Sequence, residues 1–179
     1  MNMKLSLISS LVISLVLSLQ ANAAIPAKPK APVGKILITE GEATGGVAGT
    51  GFSLMDLRRT ADVKKNFERI VIDIGDMQGN PQKGLPAYFH AELKKNPNRL
   101  VLDFNQTPNS RMDDGRLAGR FKNSLFVKKS SMILDPEDKA LNLTLDLKPG
   151  TSARVFQVKG DKTTAKVVID LFVPNKVKK

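Results

Sequence analysis

Four hexapeptides share one pattern, and no other feature of the chain limits its fold so tightly. Arg69-Ile-Val-Ile-Asp73-Ile, Arg99-Leu-Val-Leu-Asp103-Phe, Asn142-Leu-Thr-Leu-Asp146-Leu and Lys166-Val-Val-Ile-Asp170-Leu superimpose when their aspartates are aligned. Positions −3, −1 and +1 relative to each Asp are large and apolar. Positions −4 and −2 are Arg and Val, Arg and Val, Asn and Thr, and Lys and Val. A period of two marks a β-strand with one buried face. Residues four apart on a strand project from the same side, so three of the four strands carry a cation and an anion outside the core.

The motif strands also pair off along the chain. Asp73 and Asp103 are 30 residues apart, and Asp146 and Asp170 are 24 apart. Each half reads as motif strand, intervening strand, motif strand. Two copies of one antiparallel sheet, each apolar on one face, can bury those faces only against each other. The expected fold is all-β: a β-sandwich of two related antiparallel sheets with internal pseudo-symmetry, each half supplying one sheet.

Further strands are predicted at 35–40, 86–93, 121–127 and 153–159. Asn-Pro-Asn at 96–98 signals a hairpin, and Pro149-Gly150 signals a type II turn. Residues 54–67 carry charges at helical spacing and read as a short helix or turn, and 107–120 as a polar loop. The glycine-rich run 41–51 lacks the Gly-Lys-Ser/Thr ending and the G-x-G-x-x-G spacing of a phosphate loop.

Residues 1–23 have the form of a secretory signal: a basic start at Lys4, a short apolar run and Ala21-Asn22-Ala23 as a cleavage site. A Pro/Ala/Lys linker is expected at 24–34, an N-terminal strand with a glycine-rich extension at 35–66, the sandwich at 67–174 and a basic tail at 175–179. The chain has no cysteine, so neither disulfides nor thiol chemistry enter. A periplasmic protein that does not span the membrane is the expectation. The net charge is +11, and removing Lys4 with the signal leaves +10. Such a field attracts anionic polymers, which outside the cytoplasm means wall peptide stems, lipopolysaccharide and headgroups rather than nucleic acid. Solubility alone is the competing explanation.

The [RK]-ϕ-V-ϕ-D-ϕ strand ends, their pairing around a hairpin, and the Asn96-Pro97-Asn98-Arg99-Leu-Val-Leu-Asp103-Phe segment resemble the AMIN domain. That domain sits N-terminal in exported N-acetylmuramoyl-L-alanine amidases and in type IV pilus secretins. The similarity runs from about residue 67 to 174. It implies a sandwich of two related sheets, a periplasmic address and a role in targeting through peptidoglycan, with no catalysis of its own. Asn142 and Thr144 stand where similar domains often carry Arg and Val, which interrupts any basic ladder. No amidase or secretin domain follows within these 179 residues, so an adaptor that binds a protein partner in an envelope complex is the alternative.

No catalytic, metal or cofactor site is expected. His90 is the only histidine, and zinc would need further nitrogen or sulfur ligands. It reads as a solvated surface residue. The four aspartates sit beside cations, which hold a carboxyl pKa down, the reverse of what a general acid needs. A cross-strand ion-pair ladder accounts for them, each exposed pair being worth about 0.2–1 kcal/mol. Arg69, Arg99, Arg154 and Lys166, with Tyr88 as the one tyrosine, are the candidate face for an anionic ligand. The alternative is that these cations only satisfy the neighbouring aspartates. With no tryptophan to lie under a sugar ring, carboxylates of the peptide stems suit the face better than glycan.

Overall fold

The computed structural model describes residues 35–37, 39–49 and 51–174; the expected signal, linker and basic tail lie outside them. Two sheets pack face to face. The first holds β1 (Lys35–Leu37), β3 (Phe52–Asp62), β4 (Phe67–Asp76), β7 (Asn109–Ser110), β10 (Ser152–Val158) and β11 (Ala165–Phe172), in the order β1-β10-β11-β4-β3-β7. The second holds β2 (Gly41–Gly45), β5 (Phe89–Lys94), β6 (Arg99–Phe104), β8 (Val127–Asp135) and β9 (Ala140–Leu147), in the order β2-β5-β6-β9-β8. All pairings are antiparallel except the short β3–β7 contact. Among the described residues one helix, α1 (Asp114–Phe121), spans from β3 to β8.

The pseudo-symmetry is present, but the halves do not form separate sheets as expected. β4 of the first half pairs with β11 of the second, and β9 of the second pairs with β6 of the first. Each half therefore lends one motif strand to the other's sheet. Exchanging β4-β5-β6 with β9-β10-β11 maps β10-β11-β4 onto β5-β6-β9. The match extends outward, with β3 beside β4 where β8 lies beside β9, and β1 beside β10 where β2 lies beside β5. Even the irregularities agree. β3 skips Met55 opposite Asp73 and Ile74, and β8 skips Lys128 opposite Asp146 and Leu147. Residues 35–66 are thus not an appendage, because their strands complete both sheets.

The core follows the alternation. Ile72, Leu102, Leu145 and Ile169, the −1 residues of the four motifs, are all fully buried. Side chains of this kind each contribute about 1.5–3 kcal/mol when removed from water. Leu37, Ala43 and Leu57 join the same cluster from the N-terminal strands.

Two local expectations are corrected. Residues 54–67 form most of β3 and its turn, not a helix. The bulge at Met55 breaks the two-residue alternation, spacing the buried Phe52, Leu54 and Leu57 unevenly. The polar segment 107–120 holds most of α1, whose N-cap Asp113 accepts a 2.7 Å hydrogen bond from the Arg116 amide. Leu117 and Phe121, one turn apart, bury its apolar side. Phe121 consequently ends a helix rather than starting a strand, and β8 begins at Val127.

A buried acid anchors the segment between α1 and β8. Glu68 lies at an inward position of β4, where the equivalent residue of β9 is Leu141. It accepts from Ser124 Oγ at 2.7 Å, the Leu125 amide at 2.8 Å and Arg59 Nη1 at 3.2 Å. Ser124 Oγ in turn accepts from the Phe126 and Val127 amides. The start of β8 is held in place by this network.

Candidate functional site

The antiparallel register sets the −4 residue of each motif strand beside the aspartate of its partner. Arg69 binds Asp170 through Nε at 2.6 Å and Nη2 at 2.9 Å. Lys166 Nζ lies 3.4 Å from Asp73. Arg99 Nε binds Asp146 at 2.6 Å, and Asn142 Nδ2 donates to Asp103 at 2.5 Å. All four aspartates face away from the core, and each has its partner across the sheet. Asn142 fills the position of a missing cation by hydrogen bonding instead.

The surroundings of these pairs differ between the sheets. Asp170 is almost wholly covered, with a side chain 3% exposed. The Arg69 guanidinium lies 5.6 Å from the Phe67 ring centre and 5.7 Å from that of Phe156, a stacking that adds cation–π attraction. Its hydrogen bonds to Asp170 hold Arg69 charged above the usual arginine range, against the opposing effect of burial. Asp73 also accepts from Arg58 through Nε and Nη2. Lys166 Nζ further donates to Thr163 Oγ1 and the Thr164 carbonyl. These cations are committed within the fold.

Arg99 is placed otherwise. It uses only Nε, leaving the η nitrogens without a partner among the described residues, and it lines a cleft of about 740 Å³ at one end of the sandwich. The β5–β6 turn supplies Lys95, Asn96, Pro97 and Asn98, and the β9–β10 turn supplies Pro149, Gly150 and Thr151. Gly150 takes φ +79°, the left-handed conformation that a type II turn requires. Asn98 ties the two turns together: its Nδ2 donates to the Lys148 carbonyl at 2.7 Å, and its own carbonyl accepts from the Leu147 amide at 2.8 Å. Lys128, pushed out by the β8 bulge, completes the rim. The cleft thus gathers three cations against one carboxylate, Asp146, with Pro97, Leu147, Pro149 and Pro174 as apolar wall. Lys95 and Lys128 form no ion pair among the described residues. A free guanidinium fork, two ammonium groups and an apolar wall suit a chain that carries carboxylates between small apolar groups.

The five residues singled out from sequence do not share one face. Arg69, Arg154 and Lys166 lie on the outer side of the first sheet and Arg99 on that of the second. Arg154 stands across from Asp170, but its side chain forms no ion pair or hydrogen bond among the described residues. Tyr88, 37% exposed, lines a smaller cleft with Asp103 and Asp138 beyond the far end of β6 from Arg99. His90 faces outward between Glu42 at 3.4 Å and Asp103 at 3.9 Å. No group of three or more metal-ligating side chains occurs among the described residues. Lys95 and Lys128 are the rim residues that the sequence reading left out of the site. Their signal was the paired lysines at 94–95 and 128–129, but only the register and the bulge bring them to Arg99.

The chain matches no protein-family model and no curated protein.

Proposed function

We propose that this chain is an exported, non-catalytic module of AMIN type that works in the periplasm and binds peptidoglycan through the Arg99 cleft. One observation carries the proposal: a cleft with a guanidinium whose η nitrogens are open and two lysines without an ion pair among the described residues, built by two turns that hydrogen bonds hold together. The signal-like N-terminus, the basic charge and the duplicated sandwich support the address and the family. Carboxylates of the wall's peptide stems match the fork and the ammonium groups, and their alanine methyl groups match the proline-lined wall.

Co-sedimentation with purified sacculi tests it. Binding is expected at low ionic strength and should weaken with salt, because the contact is electrostatic. Replacing Lys95, Arg99 and Lys128 by alanine together should abolish it, whereas Lys159→Ala with Lys162→Ala, on the β10–β11 turn at the other end of the sandwich, should leave it largely intact. Absence of sedimentation at low salt would overturn the proposal.

A second reading, an adaptor in an envelope complex, draws on β8. This strand is a sheet edge with Ile133 64% and Leu134 43% exposed, and such an edge can accept a partner's strand. Crosslinked partners that persist after the sacculus is digested would favour it.

A further inference from the structure

A second cleft, of about 850 Å³, runs between the end of α1 and the first half of β8. It is lined by Lys122, Lys128, Lys129 and Lys148, and no described lining residue is acidic. The side chains of Lys122, Lys128 and Lys129 form no ion pair or hydrogen bond among the described residues; Lys148 Nζ donates to the Ser124 carbonyl at 3.0 Å. The carbonyls at the end of α1, which would repel an anion, are occupied: Arg59 donates to the Arg120 carbonyl at 2.6 Å and to that of Lys122 at 3.1 Å.

Four lysines around one cleft without a lining carboxylate leave a positive field there that a counter-charge can neutralise. Ammonium groups act as compact point charges, and a multiply charged tetrahedral anion exploits several at once. We propose that this cleft binds a phosphate group, as a phosphomonoester or pyrophosphate, with the lysines supplying the charge. The cleft shares Lys128 with the Arg99 cleft, so the test rests on Lys122 and Lys129, which line this cleft alone, and does not depend on the carboxylate-binding role.

The experiment uses the exported chain and pyrophosphate as probe, with amide chemical shifts and calorimetry at low salt. Shifts are expected across 122–131 and at Lys148. Lys122→Ala combined with Lys129→Ala should weaken binding by about tenfold or more, the scale of two lost charged contacts. Lys64→Ala with Lys65→Ala removes the same charge elsewhere and should change affinity less than about twofold. Phosphatidylcholine vesicles with and without phosphatidic acid separate the sources. Capture of phosphatidic acid vesicles alongside pyrophosphate supports a lipid headgroup; pyrophosphate binding alone supports a soluble or polymeric phosphate. Equal losses in the two double variants, shifts outside the cleft, or vesicle capture without pyrophosphate binding would each refute the site.

Discussion

Arg69 and Arg99 hold the same position in the repeated motif, each bonded by Nε to an aspartate at 2.6 Å. On the first sheet the arginine is bidentate, flanked by two aromatic rings and set against a covered carboxylate. On the second it is monodentate, beside a carboxylate 31% exposed, and opens onto a cleft. The same four-residue spacing therefore serves as internal cement on one side of the sandwich and as a presented charge on the other. What differs is the cover around each pair: Phe67 and Phe156 on one sheet, turns and a bulged lysine on the other.

The inner faces should not reproduce that difference, and the largest effects test this. Leu102→Ala and Leu145→Ala in the second sheet, and Ile72→Ala and Ile169→Ala in the first, should each cost about 2–5 kcal/mol in urea unfolding. A systematic gap between the sheets would break the equivalence of the halves. The outer faces should diverge. Asp170→Ala leaves Arg69 facing a covered site without its anion and should cost about 3 kcal/mol. Asp146→Ala removes a half-exposed pair and should cost under about 1 kcal/mol. Equal costs would erase the contrast.

Binding sharpens the same comparison. Arg99→Lys keeps the charge but removes the fork, so sacculus affinity should fall by about three- to tenfold. Arg69→Lys should leave it unchanged, and co-sedimentation isotherms measure both. The smallest effect is in acid. Hydrogen bonds from the Lys65 side chain and amide hold the Asp62 carboxyl below the usual aspartate range, and those from Asn80 do the same for Asp76. A depressed pKa contributes stability that is present above the ordinary value of 3.8 and lost as pH falls through the lower folded value. The Lys65 and Asn80 amides, bonded to these carboxylates, should therefore keep their shifts on acidification until below 3.8. Midpoints above that value would count against it.

The sandwich was legible because alternation is a local property: every −1 residue of the motif strands reports its own burial. Which strands pair is not local. The spacing between aspartates suits a sheet per half and an exchanged pair of sheets equally well, and the choice lies with contacts such as Arg69–Asp170, 101 residues apart. α1 was missed because its short amphipathic face, Leu117 and Phe121, sits among glycines and charges typical of a loop. Glu68 did leave a trace, an acid at an inward position five residues before Asp73, although its partners come from residues 59 and 124–125. Arg99 was picked out by its motif. Its companions Lys95 and Lys128 were visible only as charge clusters, since a bulge cannot be read from one strand alone.

The interchange of β4 and β9 bears on how such a chain could come apart. Neither half owns a finished sheet, so a fragment ending after β6 would leave β4 bare on the flank where β11 belongs. Two copies of that fragment could cure the defect in trans, β4 of one lying against β6 of the other. Joining two such units in a single polypeptide turns a concentration-dependent dimer into a monomer that closes on itself. Mixing separately expressed halves should regenerate the fold that each lacks alone.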